Sequence, residues 1–252
     1  MIDSHAHLTD GRIAEILNEV RKGYLQSKIT TVVDVGCNIA SSKKARDNAE
    51  SFEEVYFTAG CHPSDAGIVN QSALDEIKAL ATHPKCIAVG EIGLDYHYLT
   101  YEREVQKQAF ISQLELAISI NKPVVIHTRD ACKDTLDILS FYAKDLKGLL
   151  MHCYSESKET ANILLTLGAY FSFGGVVTFK NAKKDEIIKS IPIEKVLLET
   201  DCPYMAPVPF RGQLNQPKYV EKVYEKVSEI YGVSKDFLTE KVRRNFKNLF
   251  FN

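Results

Sequence analysis

Short runs of apolar and β-branched residues recur along the chain and alternate with longer segments of helical period. Eight runs have the length and composition of buried strands, at residues 1–7, 31–37, 55–61, 86–91, 123–127, 149–152, 169–174 and 196–201. Strands that alternate with helices indicate parallel β-α-β units, and eight such units predict closure into a TIM (β/α)8 barrel.

Apolar residues at helical spacing predict three of the helices in detail. One face precedes the fifth strand and consists of Phe110, Leu114, Ala117 and Ile118. A second face follows the last strand and consists of Val220, Val223, Val227 and Ile230. Ser234 then predicts the start of a terminal helix, whose apolar face consists of Leu238, Val242, Phe246 and Leu249.

Length and composition favour the same α/β architecture. A TIM barrel typically needs about 250 residues, and this chain has 252, of which 45% are apolar. The competing fold, a doubly wound open sheet, usually has a glycine-rich turn after its first strand, whereas residues 7–10 here read His-Leu-Thr-Asp. No repeat or linker divides the sequence, so we expect one domain over residues 1–252. The proline-rich segment 202–217 is predicted to be an ordered wall of the active site.

Histidine and carboxylate residues stand where the predicted strands end. His5 and His7 lie two apart, so both side chains point to one side of the strand and into the barrel near its C-terminal mouth. Alone, this pair fits a metal site no better than a core or surface position. Four more strands end in ionisable groups after apolar runs, at Glu91, His127, His152 and Asp201. Because isolated buried charges are costly, the six together predict a metal centre at the mouth.

The number of ligands favours two divalent ions. A catalytic zinc usually takes about three protein ligands, whereas six suit two ions bridged by a carboxylate and a hydroxide. We assign His5, His7 and Asp201 to one ion and His127 and His152 to the other. Glu91 is the bridge, since its strand lies between the two groups. Mixed nitrogen and oxygen ligands suit Zn, Mn or Fe, and phosphate substrates add Mg as an alternative.

Two kinds of supporting role follow from the same positions. Asp201 can take the proton of the attacking water, and we predict it to be catalytic together with Glu91. Strand parity places Asp3 and Glu199 one layer below His5 and Asp201, where they could orient ligand imidazoles. A buried acid satisfied by backbone or water fits both positions equally well.

Composition excludes some classes of protein. The formal net charge of -2 argues against a basic surface wrapped around long nucleic acid, although it allows a local positive cleft. Six cysteines without a C-x-x-C pair indicate reduced thiols. No apolar run is long enough to span a bilayer, and the early position of His5 argues against a signal peptide. We therefore expect a cytoplasmic monomer without a membrane partner.

Several motifs together are similar to one family. The segments DSHAHL, GCHP, GEIGLDYHY, VIHTRDA, HCYS and ETDCPYMAPVPFRG, in that order, resemble the TatD-like metal-dependent deoxyribonucleases of the amidohydrolase superfamily. The resemblance covers nearly the whole chain and implies a TIM barrel with one or two metal ions that hydrolyses DNA phosphodiesters, often from a 3′ end. The implied ligands are the six residues named above, and His62 matches a position near the substrate phosphate.

Other rim residues are candidates for substrate contact. His62, Arg129 and Arg211 could bind phosphate, while Tyr96 could stack on a base. A capping histidine, surface ion pairs and a half-buried loop tyrosine are the structural alternatives. Asp95 could order the loop beyond Glu91 or be a plain turn acid.

Two positions depart from the family pattern. Glu156 replaces a usual glycine and adds negative charge, and Leu214 stands where a basic residue is common.

These observations predict a deoxyribonuclease in which metal-bound hydroxide attacks phosphorus at single-stranded or frayed 3′ ends of DNA. The alternative uses the same centre on a carbonyl, as an amidohydrolase or an aminoacyl-ester deacylase. A non-catalytic nucleic-acid-binding protein with a relic site fits less well, because all six ligands are intact.

Overall fold

The computed structural model describes residues 1–252 and contains eight parallel strands arranged in chain order around one sheet. The strands β1 to β8 are Ile2–Ala6, Thr31–Val35, Val55–Ala59, Cys86–Asp95, Val124–Arg129, Leu149–Met151, Tyr170–Phe173 and Val196–Leu198. The helices α1 to α10 are Gly11–Ala14, Leu17–Gln26, Ile39–Ser51, Gln71–Ala81, Arg103–Ser119, Cys132–Tyr142, Lys158–Thr166, Asp185–Ser190, Val220–Tyr231 and Lys235–Phe250. Short 3-10 segments lie at Pro63–Ile68, Ala143–Asp145, Gly175–Thr178, Ile193–Lys195 and Pro217–Tyr219.

The sheet closes where the segment after β8 meets β1. The Asp201 amide donates to the carbonyl of His5 at 2.9 Å, and the His7 amide donates to the carbonyl of Cys202 at 2.8 Å. Ala6 and Cys202 form a parallel bridge between these hydrogen bonds. The predicted single-domain TIM barrel is thus confirmed, with 59 buried apolar residues in one continuous core.

All eight predicted strands are present, but two of them extend further than predicted. The fourth strand was expected to end at Glu91, whereas β4 continues to Asp95. It continues because β5 also extends, so that Gly93 pairs with His127 and Asp95 pairs with Arg129. Asp95 therefore lies in the sheet, not in the loop where the sequence placed it.

Glycine is required at one position of this extension. Gly93 has a φ of +140°, and a Cβ atom there would lie 2.0 Å from the carbonyl oxygen of His127. A side chain at residue 93 would push β5 away from β4 at the position of a candidate ligand.

The predicted helix faces are confirmed with one exception. The apolar faces of α9 and α10 are buried, and Ser234 accepts a hydrogen bond from the Phe237 amide as an N-cap. In α5, Ile118 is only partly buried. Two glutamines are buried on that helix instead. Gln113 bonds the backbone of Cys61, and Gln106 bonds the backbone of Asp95.

All six cysteines are free thiols. None of the helices combines the length and apolar character needed to cross a membrane.

Candidate metal centre

The six predicted ligands converge at the C-terminal mouth of the barrel. His5 lies in β1, Glu91 in β4 and His127 in β5. His7, His152 and Asp201 follow the ends of β1, β6 and β8 within one to three residues. Asp201 has a φ of +53°, a left-handed conformation that is uncommon for a residue with a side chain.

Glu91 occupies the centre of this cluster. Its Oε1 lies 2.9 Å from His127 Nδ1 and 2.8 Å from His152 Nε2. Its Oε2 lies 3.5 Å from His5 Nε2 and 3.9 Å from His7 Nε2. Each carboxylate oxygen therefore faces a different pair of imidazoles, which is the geometry that a bridging ligand requires. Whether one or two ions bind stays a prediction.

The donor atoms fit a divalent cation. Three groups of three cluster residues have donor atoms that all lie within 4.8 Å of one another: His5–His7–Glu91, His5–His152–Asp201 and Glu91–His127–His152. A fourth such group, His62–Asp95–His127, includes only one cluster residue. Both ring nitrogens of His5 are buried and have no hydrogen-bond partner. Burying such atoms without a partner is costly, and a bound cation would satisfy the nitrogen that faces the cluster.

Electrostatics keeps the carboxylates of the cluster ionised. Burial alone would raise the pKa of Glu91, but the surrounding imidazoles, His152 foremost, hold it well below its usual value. The pKa of Asp201 is also lowered, because the bond to His7 at 3.2 Å outweighs the effect of burial. A divalent ion bound among these residues would replace the imidazole protons as the positive partner of the two carboxylates.

His127 is oriented by a carboxylate outside the cluster. Its Nε2 lies 3.0 Å from Asp95 Oδ2, so Nδ1 is the atom that faces Glu91. Asp95 Oδ1 accepts from the amides of His97 and Tyr98, which also orders the loop after β4. Asp95 therefore orders the loop beyond Glu91, which was one of its two predicted alternatives, and it also contacts a ligand histidine.

Glu199 and Asp3 are both fully buried, as strand parity predicted, but they differ in their contacts. Glu199 accepts from the amide of Cys153 and from the hydroxyl of Ser172, and its Oε1 lies 3.4 Å from His152 Nδ1 without hydrogen-bond geometry. Asp3 accepts from the amide and hydroxyl of Thr200. Of the two alternatives left open for Asp3, the structure favours the buried acid that neighbouring backbone and hydroxyl groups satisfy.

We expect Asp95→Asn to weaken metal binding by about 10–100-fold, the usual cost of losing such an outer partner of a ligand histidine. Asparagine keeps an oxygen for the two loop amides, but its NH2 group cannot accept the proton of His127 Nε2. Titration calorimetry with a divalent ion measures the change. Asp134→Asn is the matched control, because Asp134 bonds Tyr96 and Lys107 away from the cluster. Equal affinities for the two variants would contradict a positioning role.

A cavity of about 400 Å³ opens above the cluster. Apart from the cluster residues, its lining comes from the segments that follow β1, β2, β3 and β8, including the first turn of α3. Sequence reasoning identified His62 in this set but missed Cys37, Asn38 and Ser41. Cys37 Sγ lies 3.5 Å from His7 Nδ1. Cys37 ends the second predicted strand, and this position could have identified it as a residue of the cavity.

The lining contains neither lysine nor arginine. The guanidinium of Arg129 lies 4.9 Å from the ring of Tyr98, and that of Arg211 lies 4.0 Å from the ring of Phe179. The hydroxyl of Tyr96 donates to Asp134 at 2.7 Å. The structure therefore does not bring these three predicted contacts into the cavity, because nearby rings and a carboxylate engage them instead.

Glu156 also lies outside the cavity. It borders a separate small crevice together with Cys132 and Thr160. Its negative charge is therefore not part of the lining of the cavity above the cluster.

A TIM barrel with histidines and carboxylates converging at its C-terminal mouth defines the chain as a hydrolase that depends on a divalent metal. The comparisons with known proteins agree. The chain is 38% identical over 251 residues to the uncharacterized metal-dependent hydrolase YabD of Bacillus subtilis, covering 99% of this chain and 98% of that protein. The TatD homologue YjjV of Escherichia coli K12 superposes with a TM-score of 0.90 at 24% identity, covering 99% and 97% of the two chains.

The family follows from a match over nearly the full length. The model described as TatD related DNase matches residues 2–251, and the chain belongs to this family. The chain is also 28% identical over 256 residues to the 3'-5' ssDNA/RNA exonuclease TatD of Escherichia fergusonii, covering 99% of this chain and 98% of that one.

Proposed function

We propose that the chain is a deoxyribonuclease that removes nucleotides from single-stranded or frayed 3′ ends of DNA. The observation that carries the proposal is the size of the cavity above the cluster. With about 400 Å³ it has the size of a small-ligand site, and it suits one terminal nucleotide better than a continuous duplex. The exonuclease name of the Escherichia fergusonii relative gives independent support.

In this proposal Asp201 accepts the proton of the attacking water. Its lowered pKa keeps the carboxylate ionised at neutral pH, and its Oδ1 faces His7 Nε2 at 3.2 Å. A carboxylate in this position can also orient the water for attack.

His62 acts as a neutral donor to a phosphate oxygen. Its Nδ1 accepts a hydrogen bond from the Ser64 amide at 3.1 Å, so the proton of the neutral ring is on Nε2. That atom points toward the cluster, 3.8 Å from Glu91 Oε1. Burial lowers the pKa of His62 to about 4, so the ring donates without carrying a charge.

The bound ions would be held by the six cluster residues, and they would lower the pKa of a water molecule and offset charge on the phosphate. The water oxygen forms a bond to phosphorus while the bond between phosphorus and O3′ of the preceding nucleotide breaks. The released O3′ takes a proton from solvent. The products are a nucleoside 5′-monophosphate and a strand shortened by one residue with a 3′-hydroxyl.

We expect stepwise release of label from the 3′ end, but not from the 5′ end, of single-stranded DNA labelled separately at each end. The reaction is run with Mg, Mn or Zn and with chelator, and the products are resolved on a denaturing gel. An RNA strand of the same sequence tests whether the sugar is discriminated. Release of the 5′ label first would reverse the proposed polarity.

A second candidate function has one observation in its favour. A cavity lined by no lysine or arginine is unusual for a site that binds a polyanion, and it suits a carbonyl substrate with less charge, such as an amide or an aminoacyl ester. Protein that contains bound metal but cleaves no oligonucleotide under any of the conditions above would favour this function.

A further inference from the structure

The part of the cavity beyond the cluster has an unusual composition for a nuclease. Its side chains there include Thr9, Asn38, Ser41 and Ser64, which are neutral and polar. Asp10 adds a carboxylate, and its pKa is lowered by the hydrogen bonds from Arg12. This half of the cavity therefore offers hydrogen bonds and no positive charge to a bound group.

One aromatic residue borders this half. Tyr204 follows β8 by six residues, and its ring lies edge-on to the ring of His7, with 6.1 Å between centroids. The residue is 48% exposed and lines the cavity, so a ligand in the cavity can reach it. Its backbone is fixed, because the buried Asn215 amide donates to the carbonyl of Tyr204.

A second contact fixes the orientation of the ring. The guanidinium carbon of Arg12 lies 4.9 Å from the Tyr204 ring centroid. Arg12 is itself anchored by two hydrogen bonds of 2.9 Å to the carboxylate of Asp10. Since the Asp10 carboxylate already engages the guanidinium, this cation contributes little net charge to the cavity.

From these observations we infer that the half of the cavity between Tyr204 and Asn38 binds the uncharged nucleoside of the terminal nucleotide, with the base stacked on Tyr204. This inference rests on the proposed function and specifies its substrate. The single phosphate between the last two residues lies at the cluster, and the terminal sugar and base occupy the neutral half. The site is thus specific for a 3′-terminal residue that carries a base and a free 3′-hydroxyl.

Two consequences can be measured. Stacking on an aromatic ring contributes enough to change binding of one base by roughly 5–150-fold. Removal of the terminal base, leaving an abasic 3′ residue, should therefore raise KM by about that factor in the wild type. A 3′-phosphate would place a dianionic group in a part of the cavity that has no lysine or arginine in its lining, and it should reduce kcat/KM strongly.

The experiment uses single strands with three different 3′ residues, namely a normal nucleotide, an abasic residue and a 3′-phosphorylated nucleotide. Wild type, Tyr204→Phe and Tyr204→Ala are compared. Tyr204→Phe is the matched control, because it keeps the ring and removes only the hydroxyl. We expect the preference for the base-bearing end to persist in Tyr204→Phe and to be largely lost in Tyr204→Ala. The same preference in Tyr204→Ala as in wild type would overturn the inference, as would equal cleavage of the hydroxyl and phosphate ends.

A binding measurement separates this inference from the proposed function. Affinities for deoxyadenosine 5′-monophosphate and for deoxyribose 5-phosphate are measured by calorimetry with the metal-loaded protein. One outcome is that no strand is cleaved, but the nucleotide binds more tightly than deoxyribose 5-phosphate in wild type and Tyr204→Phe and not in Tyr204→Ala. In that case the nucleoside site stands and the exonuclease assignment fails. If both ligands bind equally in wild type, the nucleoside site is wrong even where DNA is cleaved.

Discussion

Glu91→Gln is expected to reduce the rate of hydrolysis by more than about a hundredfold. Loss of a residue that only orients a metal ligand costs up to about a hundredfold, and Glu91 is itself a predicted ligand. The two carboxylate oxygens face two different imidazole pairs. Glutamine has nearly the same shape, but it replaces one oxygen with an NH2 group that must face ring nitrogens. It also removes a negative charge from the centre of the cluster. Hydrolysis and bound metal, measured by atomic emission, should therefore fall together.

The control is another buried acid at the same end of the barrel. Asp34 is fully buried in β2 and bonds the Leu8 amide and the Asn48 side chain, outside the cluster. Asp34→Asn keeps these contacts if the Asn48 amide rotates, and it should retain most of the activity. Activity of Glu91→Gln within a few-fold of wild type would show that Glu91 does not bridge the site.

The fold could be predicted from the sequence because its signals are local. Apolar runs and helical spacing define each strand and helix, and the order of elements then leaves few topologies. The end of β4 could not be predicted in this way. Its extension to Asp95 depends on pairing with β5 and on the close approach of Gly93 to His127, which are contacts between segments distant in sequence.

The residues of the metal cluster could also be predicted from the sequence, but for a different reason. The C-terminal ends of parallel strands in a barrel meet at one mouth, so any ionisable residue at such an end is a neighbour of the others. The residues predicted to contact the substrate outside the cluster are not held together at the barrel mouth in this way. Arg129 and Arg211 stand at plausible positions in the sequence, but long flexible side chains have several partners within reach. Aromatic rings on neighbouring loops engage them, and no sequence pattern encodes that choice.

Removal of bound metal is expected to lower the melting temperature by about 8–16 °C. A ligand present at 1,000 times its Kd stabilises the native state by about 4 kcal/mol, and each kcal/mol shifts the Tm of a chain of this size by about 2–4 °C. The structural reason is the burial of the cluster. Without a cation, the ring nitrogens of the fully buried His5 have no hydrogen-bond partner.

Thermal unfolding of chelated protein with increasing Zn, Mn or Mg tests this expectation without any substrate. The Tm should rise continuously with the logarithm of ion concentration above Kd. His5→Gln should weaken this dependence, because His5 is fully buried and belongs to two of the four donor groups. His97→Gln is the matched control and should keep the dependence, since His97 is exposed and pairs with Asp130. A Tm independent of every ion would mean that the native cluster binds none of them, and the metal-dependent mechanism would fail whatever the substrate.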